Sequence, residues 1–226
     1  MPKHLHSFLA TLGLLGLPSL LAAGSAEPMR DRQDLAGLRQ AASRLAPQTP
    51  QQHYEFALLK SMEAEVAMEL GDKKGSAAAA EQGIPAARKA VEAQAANAEY
   101  HRLLGTLCGQ VIPANVLAGL KYGRCAMDEV SKAIELAPQK AENWLARAVG
   151  NYYLPPSFGG GIDKSLADLD KALKLNPKFA DAYVWRGIVL RKAGKAAEAR
   201  QMFTKAIALN PQRLWAKTQL EKTPTQ

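Results

Sequence analysis

Apolar and polar positions along this chain recur with the spacing of amphipathic helices, and three stretches close on the same phrase. KAIELAP ends at Pro138, KALKLNP at Pro177 and KAIALNP at Pro211. Each is the tail of an amphipathic helix stopped by proline, which has no amide N–H with which to continue it. A unit of about 34 residues that ends this way is one helix–turn–helix repeat. Such units stack so that each buries its apolar face on its neighbours, and the stack forms one continuous core with a concave wall. The pattern predicts an all-α protein, an α-solenoid of antiparallel helix pairs, with no strand.

The units read as follows. Residues 178–211 are the clearest repeat, with Gly187 and Ala199 small enough for its two helices to approach, Phe203 filling the groove toward the next unit, and Gly194 at the turn. Residues 139–177 form a longer repeat whose surplus is LPPSFGGG, Leu154 to Gly161. Residues 97–138 carry a second insertion, VIPANVLAG, at 111–119. Residues 51–96 form a degenerate pair: Tyr54 to Leu70, the turn GDKKG, and Ser76 to Gln94, where Pro85 predicts a kink or a break. Leu35, Leu38, Ala42 and Leu45 predict an N-terminal capping helix within 27–50, joined by a linker. In 212–226, Leu214, Trp215 and Leu220 are available to cap the last repeat.

The unit Ala180 to Pro211 resembles the tetratricopeptide repeat. It has the aromatic at the fourth place (Tyr183), the small residue at the eighth (Gly187), the A-x3-F-x2-A run (Ala199, Phe203, Ala206) and the closing Pro211. The preceding units keep parts of the pattern, with Trp144, Ala148, Leu169, Ala172 and Pro177, and Gly105, Ala126, Val130, Ala133 and Pro138. This resemblance implies a right-handed superhelix that acts as a non-catalytic scaffold for a protein or peptide partner. It also implies a concave groove lined by the first helix of each pair at the second, fifth, ninth, twelfth and thirteenth places. Those places hold Glu99, Arg102, Thr106, Gly109 and Gln110; Glu142, Leu145, Val149, Tyr152 and Tyr153; and Asp181, Val184, Ile188, Arg191 and Lys192. Family members that grip a terminal carboxylate place lysine and asparagine at the fifth and ninth positions, a clamp absent here. Arg102, Thr106, Tyr152, Tyr153, Arg191 and Lys192 are the expected contacts, a mixture suited to an extended peptide or a partner helix. For Leu145, Val149, Val184 and Ile188, packing on neighbouring helices is an equal alternative.

Charge and cysteine usage refine the picture. The chain has 29 Lys and Arg against 21 Asp and Glu, a net charge of +8. The cations are scattered among acids on helix faces, which reads as a solvated surface rather than a nucleic-acid interface. Residues 1–26 have the layout of a cleavable signal: Lys3, an apolar run from Phe8 to Ala23, then Gly24, Ser25 and Ala26. The run contains Gly13, Gly16 and Pro18 and is shorter than the roughly 20 residues a spanning helix needs. The expectation is cleavage near Ala26 and a periplasmic or secreted chain with no integral membrane segment. Cys108 and Cys125 fall in the paired helices of one repeat. In an oxidising compartment they can form a disulfide; two reduced core cysteines are the alternative.

Candidate chemistry is sparse. His53 and His101 stand without a cysteine, histidine or carboxylate at metal-ligand spacing. His101 is two turns from Cys108 on one helix, about 10 Å along the axis and beyond hydrogen-bonding reach. The run Phe158 to Gly161 before a helix beginning near Asp163 has the outline of an anion site. Asp163 as a helix cap explains it better, because its carboxylate would repel an anion. The P-x-x-FGG loop is similar to one in exported helical-repeat proteins such as the T component of tripartite periplasmic transporters. The layout of Tyr54 to Pro138 looks like the helical domain of the regulator-of-microtubule-dynamics family. Neither resemblance transfers a site residue. No catalytic residue, cofactor or metal is expected. The alternative function is a small-ligand-binding accessory protein of a transport or envelope system, using the Gly-rich insertion and the space beneath it.

Overall fold

The computed structural model describes residues 20–115 and 117–225, and among these the regular structure is eleven α-helices with no strand. The expected signal segment falls mainly on residues 1–19, outside the described residues. Its end belongs to α1 (Leu20–Asp31), in which Ala26 is fully buried beside Leu38, Leu59 and Val66. Next comes α2 (Leu35–Ser43), whose N-terminus is capped by Asp34 accepting from the Gly37 amide at 2.8 Å.

Four antiparallel pairs follow. They are α3 (Pro50–Glu69) with α4 (Lys73–Ala93), α5 (Ala98–Val111) with α6 (Ala118–Leu136), α7 (Ala141–Tyr153) with α8 (Ile162–Leu175), and α9 (Ala180–Lys192) with α10 (Ala196–Leu209). Helix α11 (Leu214–Glu221) covers the last pair through Trp215 and Ala216, leaving Leu214 exposed. Each second helix packs on the first helix of the next pair, as a solenoid requires. The turns of the first and last pairs place Gly71 and Gly194 at φ 88° and 78°, a left-handed conformation that only glycine adopts without strain.

Small residues set the spacing within pairs. A Cβ on Gly105 would stand 2.7 Å from Val130 Cγ2, and one on Gly187 would stand 2.5 Å from the Phe203 ring. Both glycines are therefore required by helix approach, not by backbone conformation. Between α5 and α6 the approach is also covalent: Cys108 and Cys125 form a disulfide with their Cα atoms 6.0 Å apart.

Two local expectations are corrected. Helix α4 is unbroken across Pro85. Pro85 and Glu81, whose carbonyl loses its amide partner, are both on the exposed side, where losing a hydrogen bond costs less than in the core. The opposite face buries Ala79, Ala80, Gly83, Ala86 and Ala87 and holds the helix together. Helix α8 is not capped by Asp163: Gly161 is the capping residue, with no side-chain bond, and Asp163 sits inside the first turn. Its carboxylate still complements the positive helix end.

The ends of the array meet. Arg213, just before α11, has a side chain 1 % exposed and is among the largest fully buried groups. Its guanidinium donates to Glu69 on α3 at 3.1 Å and to Asp181 on α9 at 3.0 Å, and also bonds Glu65. Arg30 on α1 pairs with Asp181 at 3.0 Å, and Asn210 donates to Asp31 at 2.7 Å. Helix α3 is polar and apolar all round because it is packed by α1, α2, α4 and α5, and its acids Glu63, Glu65 and Glu69 find Arg39 and Arg213 on other elements.

Candidate protein-binding surface

Helix α7 ends at Tyr153 because Leu154 and Pro155 are extended and the chain turns back, with the Gly161 amide donating to the Asn151 carbonyl at 2.8 Å. This ending leaves two adjacent tyrosines facing α9. The Tyr152 and Tyr153 rings meet edge-on at 4.9 Å, and both meet Trp185, at 5.8 and 6.2 Å. Trp185 in turn meets Trp215 of α11 at 5.4 Å. Edge-to-face pairs at these separations are favourable and fix the rings. Lys192 stands 4.2 Å over the Tyr152 ring and donates to the Tyr152 carbonyl at 3.2 Å. Burial raises the Tyr152 hydroxyl above its ordinary value, against the opposing effect of Arg191, so the ring is uncharged at neutral pH. Tyr153 is 49 % exposed and Lys192 is exposed, so the row ends in an accessible aromatic and a cation.

The expected contacts divide. Tyr152, Tyr153 and Lys192 come together as described. Arg102 is bonded to Glu99, whose carboxylate also accepts from the Tyr54 hydroxyl at 3.0 Å. Burial opposes the Glu99 charge, yet Arg102 and Tyr54 hold the carboxyl below its ordinary value. The Tyr54–Glu99 bond thus ties α3 to α5, and Arg102 is taken up in holding Glu99 within α5. Thr106 has a buried hydroxyl without a partner among the described residues. Arg191 reaches the C-terminal cap, donating to the Gln219 side chain at 2.6 Å and to the Thr223 hydroxyl at 3.1 Å. Val184 and Ile188 are buried in the last core cluster, and Leu145 and Val149 are partly buried.

Sequence reasoning passed over Trp185, and read Trp215 only as a cap on the last repeat. Trp185 follows the groove position Val184 directly, and an aromatic beside a groove place was the available signal. Elsewhere, His101 is enclosed, with its ring nitrogens facing the Glu129 carboxylate at 2.5 Å and the Ala95 carbonyl at 2.9 Å. Among the described residues no group of three or more His, Cys, Asp or Glu converges as a metal site. No described helix is long and apolar enough to cross a membrane. The Gly-rich insertion is occupied by its own backbone: a Cβ on Gly160 would strike the Leu154 carbonyl at 2.2 Å, and Lys164 donates to the Gly159 carbonyl at 2.7 Å.

Residues 169–201, from α8 into α10, match the tetratricopeptide repeat family. Over 109 residues, 48 % of the chain, the sequence is 30 % identical to the DnaJ homolog subfamily C member 7 homolog of Schizosaccharomyces pombe, covering 22 % of that protein. Over 50 residues, 22 % of the chain, it is 36 % identical to an uncharacterized protein of Methanocaldococcus jannaschii, covering 58 % of it. The chain therefore spans less than two thirds of either relative. Among solved structures, a thermophilic TPR protein of Thermus thermophilus superposes with a TM-score of 0.61 at 18 % identity, over 89 % of this chain and 94 % of that one. The HusA haemophore from Porphyromonas gingivalis superposes with a TM-score of 0.53 at 18 % identity, over 86 % and 96 % of the two chains. The fold is that of a tetratricopeptide-repeat solenoid.

Proposed function

We propose that this solenoid is a non-catalytic scaffold, exported to the periplasm, that holds an extended peptide or a helix of another protein on its concave side. The observation that carries the reading is the row Tyr152, Tyr153 and Trp185 beside Lys192. Rigid aromatic rings with one exposed edge supply large contact area at little entropic cost, and a neighbouring cation orients an acidic or carbonyl-rich segment. Export is supported by the sequence of the first 26 residues and by a disulfide of the kind that persists in oxidising compartments.

The test begins with a displayed library of random peptides selected on the immobilised full chain. Binding of selected peptides is then followed by tryptophan fluorescence for the natural chain and for Tyr153→Ala with Lys192→Glu. Loss of an aromatic anchor of more than about 1 kcal/mol should weaken binding several-fold or more. Equal binding by the double variant, with its helicity intact, sinks the assignment. Export is tested separately by cell fractionation and by mass spectrometry of the N-terminus, with a start near Glu27 expected. An intact N-terminus in the cytoplasmic fraction overturns that part.

A further inference from the structure

Most large apolar side chains among the described residues are covered, and four of the seven exposed ones lie together. Leu117 is 69 % exposed, Leu120 86 %, Met127 54 % and Phe158 71 %. The first three lie at the start and along the outer face of α6; Phe158 is on the neighbouring insertion. Between them is an open depression floored by Gly119 and Gly123 and walled by Met127, Leu154 and Phe158.

The glycines are not explained by packing within the chain. A Cβ on Gly123 would meet nothing within 4 Å, and one on Gly119 would meet only Ile112 at 3.9 Å. Neither has a positive φ. Glycine inside a helix lowers its stability, so Gly123 weakens α6 with no intrachain return, while Gly119 stands in the first turn of the same helix. They do leave a hollow beside the projecting Leu120. The charges of the same face are of both signs: Arg124 and Asp128 form an exposed i,i+4 pair at 3.2 Å, with side chains 92 % and 66 % exposed. Knob, hollow, cation and anion therefore occur together on one helix face, which makes it complementary to itself. A lipid surface would call for cations left unanswered; here the face answers its own.

We propose that the outer face of α6 docks a second copy of this chain, helix against helix across a two-fold axis. An isologous contact needs one patch that matches itself, as this one does. Antiparallel crossing near Gly123 sets Leu120 of one copy against Met127 of the other. The missing side chains at Gly119 and Gly123 let the backbones close, and each Arg124 reaches the Asp128 of the opposite copy.

The test is the oligomeric state of the full chain by sedimentation velocity across a wide range of concentration, with circular dichroism as the folding control. The natural chain is expected to reach twice its monomer mass. Leu120→Glu and Gly123→Leu alter only open positions of the monomer and are each expected to stay monomeric. The decisive arm uses Arg124→Asp and Asp128→Arg as separate chains. Each alone faces like charge and remains monomeric, and an equal mixture of the two dimerises. A natural chain that is monomeric throughout overturns the proposal, as does a Leu120→Glu variant that still dimerises or a mixture that does not associate. Binding of the monomer to anionic phospholipid vesicles, lost in Leu120→Glu, assigns the face to a membrane surface and also overturns it.

Discussion

Arg213 and Glu69 lie 144 positions apart in sequence and share a hydrogen bond of 3.1 Å in the interior, where the guanidinium also meets Asp181. The arginine is the hub of this cluster. Replacing it by methionine leaves Glu65, Glu69, Asp31 and Asp181 facing one another, with Arg30 the one cation still paired to the cluster among the described residues. Removing one partner of a buried pair costs about 3–5 kcal/mol. Arg213→Met is expected to lose that order of stability in urea unfolding, while an exposed control, Lys217→Met, stays near the natural chain.

The same cluster makes stability depend on pH. Burial first, and then the Glu65 charge, push the Glu69 carboxyl from 4.5 up to about 7, against the opposing pull of Arg213. The unfolded chain releases this proton near 4.5, so between the two values the folded chain holds one proton more. Stability from this group is therefore lost as pH rises through that window. Asp181 acts at the other end: burial opposes its charge, but Arg30 and Arg213 hold it below 3.8, so its contribution is lost only on acidification toward and below that value. The melting temperature is expected to fall between about pH 5 and about pH 7.5, and Glu69→Gln to flatten the slope. Parallel profiles for the two chains would reject the assignment to Glu69.

The disulfide encloses a segment with a sequence separation of 17. Chain-entropy arguments give a cross-link of this span about 3 kcal/mol of stabilisation. Cys108→Ala with Cys125→Ala should lower the urea midpoint accordingly, and a reducing agent should shift the natural chain to match. The reducing agent should leave the double variant unmoved.

Glycine has opposite meanings at two helical positions. Gly187→Ala drives a methyl into the Phe203 ring and is expected to destabilise by about 1–3 kcal/mol. At Gly150 a Cβ meets nothing within 4 Å, and Gly150→Ala should gain up to about 1 kcal/mol through helix propensity. Thermal unfolding of the two variants side by side checks both signs.

The helix pairs were legible because their signals are local. Closing prolines, the turn Gly194, and the small residues Gly105 and Gly187 opposite Val130 and Phe203 all lie within one repeat. Tyr152, Tyr153 and Lys192 were named by counting places along a helix, and the structure brings the three side chains together. What could not be read was contact across the array. Arg191 sits at a groove place, yet α11 offers it Gln219 and Thr223. Arg102 is taken up by Glu99, which Tyr54 of α3 also engages. Of the kink or break expected at Pro85 the break does not occur, because the expectation weighed one lost bond without knowing that Glu81 and Pro85 lie on the exposed side of the helix. Arg213 carried no periodic signal at all, since its partners come from three other helices.

A stacked array with two free ends ordinarily frays, its terminal pair opening first and the rest following pair by pair. Here the opening of either end breaks the ion pairs that hold the other. The amides of α3 and of α9 should therefore exchange with solvent at similar rates, and the protein should unfold as one cooperative unit. A partner segment would then enter between walls whose separation is set in advance, and the energy of binding would not be spent on closing them.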